Sequence, residues 1–320
     1  MHVFTDPRCL AHRAPAGFPE TAERLTGLLA ACRSEPRFDL VETAAVSDDE
    51  VLVAARALHA PCYVDRLRRA IERGDGLVDT PDNPVGQGSW EAILGAAAAT
   101  LSALDFVLGA PARRAFAAVR PPGHHAERDH AMGFCFFNQA ALAAERALRE
   151  HGLARVAIVD FDVHHGNGTQ HLFEERADVL YVSLHQWPFY PGTGAAGERG
   201  RGAGEGATLN QPLAAGSGDR EYAEAMRGTV LPALGRFAPE LVIASAGFDA
   251  WRGDPLGGMR VSEKGFADWG DWLAGAAAES AGGRLLSVLE GGYDLVALPR
   301  LVRAYLTGEV EAKDPSPLVR

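Results

Sequence analysis

Along most of this chain, short apolar, β-branched runs alternate with longer stretches whose apolar residues recur at helical spacing. The runs predict strands at residues 3–5, 115–119, 156–161, 179–184, 241–245 and 285–289, and the longer stretches predict helices at 20–32, 48–58, 89–108, 138–150, 219–237 and 262–280. Ser89 before Trp90-Glu91, and Ser262 before Glu263, are good helix starts, because a serine side chain can accept from an otherwise unpaired first-turn N–H. Val156-Ala157-Ile158-Val159 is apolar at every position rather than at every second one, as in a strand covered on both faces. Strands alternating with helices give an α/β fold, a mainly parallel sheet with helices on both sides. No Pro/Ser-rich linker, composition break or internal repeat divides the chain, so one domain is expected over residues 1–320, with a polar tail after about residue 306. The Gly-rich stretch 192–206 reads as a surface loop. Its Gly202-Ala203-Gly204-Glu205-Gly206 is no dinucleotide turn, since no helix start follows.

Composition narrows the class. With 47% hydrophobic residues the chain can bury a large core, and no apolar run approaches the ~18–20 residues of a membrane span, so no membrane partner is expected. The start, Met1-His2-Val3-Phe4-Thr5-Asp6, lacks the charged and apolar regions of a signal peptide. Cys9, Cys32, Cys62 and Cys135 form no C-x-x-C pair, which argues against a disulfide framework and for a reducing cytoplasm. A net charge of −11 argues against nucleic acid as a partner. A homo-oligomer stays open.

Four polar clusters follow predicted strands, where open α/β sheets bind ligands. Asp160-Phe161-Asp162-Val163-His164-His165-Gly166-Asn167-Gly168 gathers carboxylates and imidazoles that are costly to bury without a cation, and this mixture suits zinc or a similar transition ion. The competing reading is a helix cap and turn. Arg120-Pro121-Pro122-Gly123-His124-His125 sets two histidines behind a rigid turn, able to work as an acid/base pair if their pKa values are pushed apart. Asp249, in Ser245-Ala246-Gly247-Phe248-Asp249, could cap a helix or complete a three-ligand shell with Asp162 and His164. In Glu290-Gly291-Gly292-Tyr293 the glycines permit close backbone approach, and Tyr293 offers a phenol O–H. The set points to metal-assisted hydrolysis; no Gly-x-Ser-x-Gly elbow or Cys/His nucleophile motif offers a covalent route.

These clusters, with Met132-Gly133-Phe134-Cys135-Phe136-Phe137-Asn138, Val182-Ser183-Leu184-His185, Tyr190-Pro191-Gly192-Thr193-Gly194 and Asp254-Pro255-Leu256 in order, resemble the zinc-dependent histone deacetylase family, in its class II-like bacterial amidohydrolase form, within the arginase/deacetylase superfamily. The resemblance spans roughly residues 12–306 and implies a three-layer αβα domain with a mostly parallel, about eight-stranded sheet. It implies zinc on Asp162, His164 and Asp249, with His124 and His125 as the acid/base pair and Tyr293 polarising the scissile carbonyl. Asp160 would orient His124, and Asn167 would partner His125. A structural potassium ion would touch Asp160, Asp162, His164, Ser183 and Leu184. Gly133, Phe134, Tyr190 and Leu256 would line a substrate tunnel, with Arg24 in an internal cavity at its foot. The implied reaction removes an acetyl or other acyl group from a lysine side chain of a peptide or protein by metal-activated water. The alternatives are an acetylpolyamine or small N-acyl amide as substrate, or an inactive acyl-binding module.

Three positions depart from the pattern. Asn167 stands where class I relatives carry aspartate, Phe18-Pro19-Glu20 replaces a His-Pro-Glu motif, and Trp251 stands where many class II relatives have histidine. Neither of the last two touches the expected metal shell. At Leu256 the chain matches lysine deacetylases rather than polyamine enzymes with an acidic gatekeeper, while Asp79 and Asp82 are acidic candidates in the entrance loop.

Overall fold

The computed structural model describes residues 1–42, 45–109 and 113–311. Its strands are β1 (His2–Phe4), β2 (Asp39–Val41), β3 (Leu77–Val78), β4 (Thr80–Pro84), β5 (Arg114–Ala117), β6 (Val156–Asp160), β7 (Val179–Gln186), β8 (Thr208–Leu213), β9 (Leu241–Ala246) and β10 (Leu285–Leu289). Eight form one sheet in the order β2-β1-β5-β10-β9-β6-β7-β8, with every pairing parallel; β3 and β4 form a separate antiparallel ribbon. The α/β class and eight-strand count match the sequence reading. β6, β7, β9 and β10 are buried at every residue, which is why they read as largely apolar runs rather than as alternating ones. The reading missed β2, only three residues long, and β8, where Asn210, Gln211 and Pro212 dilute the apolar signal. Both are edge strands, and β8 tolerates Pro212 because one side of an edge strand needs no ladder donor.

The helices are α1 (Ala22–Ser34), α2 (Asp48–Leu58), α3 (Pro61–Arg73), α4 (Ser89–Leu108), α5 (Gln139–Arg149), α6 (Asn167–Phe173), α7 (Asp219–Ala225), α8 (Leu231–Phe237), α9 (Glu263–Ser280) and α10 (Ala297–Glu311). The single helix expected over 219–237 is α7 and α8 joined by a wide π turn at Met226–Val230, just before Pro232, which has no N–H to give the ladder. The reading passed over α3 despite its signals: proline in the first turn, Gly74 in the left-handed region (φ 76°) at the end, and Tyr63, Val64, Leu67, Ala70 and Ile71 on one buried face.

Two expectations are corrected. The polar tail does not begin at residue 306: α10 continues to Glu311, and Glu309 is fully buried against β10, accepting from Ser287 Oγ at 2.8 Å. Residues 312–320 lie outside the described part. The chain also does contain a segment long and apolar enough to cross a bilayer, α4; its polar residues are too few to break the stretch, and 78% of an 18-residue window within it is buried inside the protein.

Candidate active site and metal centre

The C-terminal ends of β5, β6, β9 and β10 lie side by side in mid-sheet, so the segments that follow them converge. Beyond β6 come Asp162 and His164, beyond β9 Asp249, beyond β10 Glu290 and Tyr293, and beyond β5 His124 and His125. One ligand-type atom from each of Asp162, His164 and Asp249 lies within 4.8 Å of the others. His164 Nδ1 is 3.0 Å from Asp162 Oδ1 and 3.2 Å from Asp249 Oδ2. Backbone amides fix the far sides of both carboxylates: Gly291 N–H donates to Asp162 Oδ2 (2.8 Å) and Val163 N–H to Asp249 Oδ1 (2.8 Å). Asp249 Oδ2 is buried and accepts no well-aligned hydrogen bond.

Two glycines make this convergence possible through their size. A Cβ on Gly247 would run into Asp162 Oδ2, and one on Gly291 into Asp249 Oδ2 and Asp162 Oδ2. Burial opposes charge on Asp162, but His124 and His164 hold its pKa below the usual carboxylate value; burial and the Asp162 charge push Asp249 up. Burial would lower His164, yet the two carboxylates raise it to about 9. His164 Nδ1 thus stands between two carboxylates, and a cation there would be shared by all three side chains. The orphaned Asp249 oxygen and the carboxylate/imidazole donor set fit a divalent ion with transition-metal preferences. His165 does not join them: Nδ1 is 2.8 Å from Thr193 Oγ1 and Nε2 is 2.9 Å from Gln170 Oε1, so both ring nitrogens are engaged.

The His124 and His125 rings lie 4.0 Å apart, centroid to centroid, with opposed environments. His124 Nδ1–H donates to Asp160 Oδ2 (3.0 Å), which also accepts from Tyr181 Oη (3.1 Å). Burial would lower the His124 pKa, but Asp160 and Asp162 raise it to about 10. His125 Nδ1 meets the Asn167 carbonyl oxygen at 2.7 Å; burial, then the neighbouring His124 and His164, push its pKa well below 6.5. Glu290 fixes the pair from behind, accepting from the Gly123 and His124 amides on Oε2 (2.6 and 3.1 Å) and from Ser245 Oγ on Oε1 (2.8 Å).

Tyr293 is held by its own backbone N–H on Asp254 Oδ2 (2.7 Å), and burial keeps its phenol protonated, its pKa well above the usual value. The Arg24 guanidinium lies 4.7 Å from the Tyr293 ring centre and donates to the carbonyls of Gly292 (2.7 Å) and Glu290 (2.5 Å). Buried Glu20 accepts from both Arg24 (3.0 Å) and Arg120 (2.9 and 2.7 Å). Phe134 packs edge-on to Tyr293 at 5.9 Å, and Tyr190 stands perpendicular to His125 at 5.2 Å. Gly133 (φ 57°) needs a left-handed backbone and leaves no room for a side chain beside His125. Asp82 Oδ2 ties the two walls together, accepting from Tyr190 Oη (3.0 Å) and Gly133 N–H (3.2 Å). Half-buried Leu256 donates its N–H to Asp254 Oδ1 (2.9 Å), which fixes its loop beside that of Tyr293. Asp160 pairs in register with Ser183, whose Oγ is 2.8 Å from His185 Nδ1.

The structure therefore brings Asp162, His164 and Asp249 together, with the His124–His125 pair and its partners Asp160 and Asn167 alongside. The reading did not assign roles to Glu20, Asp254 or Glu290, although it quoted all three inside motifs, and it missed Phe189, which stacks on His164 at 5.3 Å. Phe189 next to Tyr190 was the available signal.

A sequence profile of the histone deacetylase domain matches residues 18–308. The chain belongs to the histone deacetylase family. It is 42% identical over 282 residues to the histone deacetylase-like amidohydrolase of Pseudomonas aeruginosa, covering 88% of this chain and 73% of that protein. Among solved structures it resembles the HD domain of HDA15 (TM-score 0.87, 36% identity, 97% of this chain and 91% of that one). It is as similar in shape to the acetylpolyamine aminohydrolase of Burkholderia pseudomallei (TM-score 0.87, 32% identity, 98% and 99%). The family is hydrolytic, and the protein is an enzyme of this deacetylase group.

Proposed function

We propose that the protein is a zinc-dependent deacylase that removes acetyl or a related acyl group from lysine side chains. The observation that carries this reading is the Asp162–His164–Asp249 donor set beside two histidines whose pKa values move in opposite directions. Zinc there would supply Lewis-acid polarisation of the amide carbonyl and lower the pKa of the attacking water. Tyr293 keeps its proton and donates a hydrogen bond to the carbonyl oxygen as negative charge develops on it. His125, neutral in its buried position, takes a proton from the water through Nε2. His124, charged beside Asp160, stabilises the oxyanion and supplies the proton that lets the amine leave. Phe134 and Tyr190 would flank the alkyl stem of the substrate, Gly133 would face its amide, and Leu256 would line the entrance. The same proposal includes Arg24 at the foot of the tunnel and a structural potassium ion near Asp160, Asp162, His164, Ser183 and Leu184, supported by the register of Asp160 with Ser183.

A second reading is deacetylation of polyamines. It is favoured by the fold match to an acetylpolyamine aminohydrolase and by the Asp82 carboxylate at the entrance. Asp79 is less suited to bind a cationic substrate, since Arg66 already pairs with it at 2.7 Å. A kcat/KM panel of acetyl-lysine peptides, longer acyl-lysines and acetylpolyamines, run on protein whose metal is measured by elemental analysis, decides between them. Zinc at one per chain and preference for acyl-lysine are expected. Preference for polyamines replaces the substrate, and hydrolysis without zinc removes the metal assignment.

A further inference from the structure

Behind His125 a chain of polar groups runs to the surface. Asn167 presents its carbonyl to His125 Nδ1 and turns its amide nitrogen to Glu127 Oε1, 2.5 Å away. The same carboxylate oxygen is 2.8 Å from His171 Nδ1. Glu127 is 8% exposed, whereas the His171 side chain is 38% exposed. Asn167 and His171 are four residues apart on α6, so one helix face brings both to Glu127. The backbone of Glu127 is itself held: its N–H donates to His130 O (3.0 Å), and its carbonyl accepts from buried His59 (2.8 Å).

An asparagine amide has nearly the same shape either way round, so its fit alone does not decide which end meets His125. Its neighbours must decide. A carboxylate oxygen accepts, so Glu127 draws the amide N–H₂ and leaves the carbonyl for His125. That carbonyl also only accepts, so Nδ1 of His125 must carry the ring proton, and in the neutral ring Nε2 is left bare. We propose that Glu127 is a positioning residue, acting through Asn167 to hold His125 as the tautomer whose bare Nε2 faces the reacting centre. The kinetic part of this inference rests on His125 being the proton acceptor in the hydrolysis; the tautomer part does not. His171, donating to the same oxygen, keeps the Glu127 carboxylate turned toward Asn167.

Long-range ¹H–¹⁵N imidazole spectra of the zinc-loaded enzyme, with kinetics on its best acyl substrate, test the proposal. In the wild type, His125 shows a protonated Nδ1 and a bare Nε2. In Glu127→Ala, and in the more conservative Glu127→Gln, the signals shift toward the other tautomer or a mixture, and kcat falls by about 10–100-fold with KM within about twofold, the range found for partners that orient an active-site imidazole. The single Asn167→Asp sets two carboxylates against each other and loses activity. The swap Glu127→Gln/Asn167→Asp restores one donor facing one acceptor and recovers at least about tenfold over that single variant. A mere packing role for Glu127 predicts neither the altered tautomer nor this recovery. Retention of the wild-type spectrum and kcat by both Glu127 variants, or no recovery in the swap, overturns the proposal. If Glu127→Ala changes the tautomer of a protein that hydrolyses no acyl amide, the tautomer assignment stands and the proposed function falls.

Discussion

β10 separates two buried carboxylates that look alike and differ in use. Glu290 follows its C-terminal end; Glu309, on α10, packs against its middle. Both are fully buried, and burial raises both pKa values to about 7. Glu290 accepts three hydrogen bonds, two from the backbone that carries the histidine pair. Glu309 meets Ser287 with one oxygen and leaves Oε2 without a partner. Burial alone therefore does not mark a working group. What distinguishes Glu290 is that its hydrogen bonds fix other residues with chemistry of their own.

Substitutions around Glu290 and around Glu309 should separate accordingly, rate at the first and stability at the second. The largest effect is expected for Tyr293→Phe: a loss of about 10²–10³ in kcat from one oxyanion donor, with an unchanged melting curve. Near-normal turnover breaks the assignment of the strand end to chemistry. Gly291→Ala should follow, since its Cβ would displace both aspartate carboxylates at Asp162 Oδ2 and Asp249 Oδ2; zinc affinity, measured by chelator competition, should fall at least about tenfold.

On the far side, Gly308→Ala meets the backbone of α9 at Ala267 O and should cost about 1–3 kcal/mol in urea unfolding while zinc affinity holds. Glu309→Gln sharpens the comparison through pH. The folded pKa of Glu309, about 7, lies above the ordinary 4.5, so the folded state favours the proton. Its contribution is fully favourable below about 4.5 and is lost as pH rises through 7, a change of order 3 kcal/mol at most. The stability of Glu309→Gln relative to wild type should therefore rise between pH 5 and 8; a flat difference would place the raised pKa elsewhere.

The central strands and the metal cluster were legible because each is local: β-branched runs ending in Asp-x-Asp-x-His, Phe-Asp or Gly-Gly-Tyr. The short edges β2 and β8 carry too few apolar positions to stand out. α10 was hidden by its polar end, where Glu309 occupies a buried position on an otherwise apolar face. Glu20 and Glu127 were illegible for another reason. Glu20 meets Arg120, and Glu127 meets Asn167 and His171, at separations of 100, 40 and 44 residues, which only the folded sheet closes.

The position of β10 also bears on how the molecule is made. It enters between β5 and β9, so the strand of this sheet that comes last in chain order fills the middle rather than extending an edge. Until about residue 289 has emerged, the nascent chain has two half-sheets with open inner edges, the surfaces on which unfinished chains pair wrongly. Arg24, near the other terminus, waits for the carbonyls of Glu290 and Gly292 to arrive. A ribosome stalled before β10 would release no weakened enzyme but an aggregation-prone fragment, and chaperone demand should peak there.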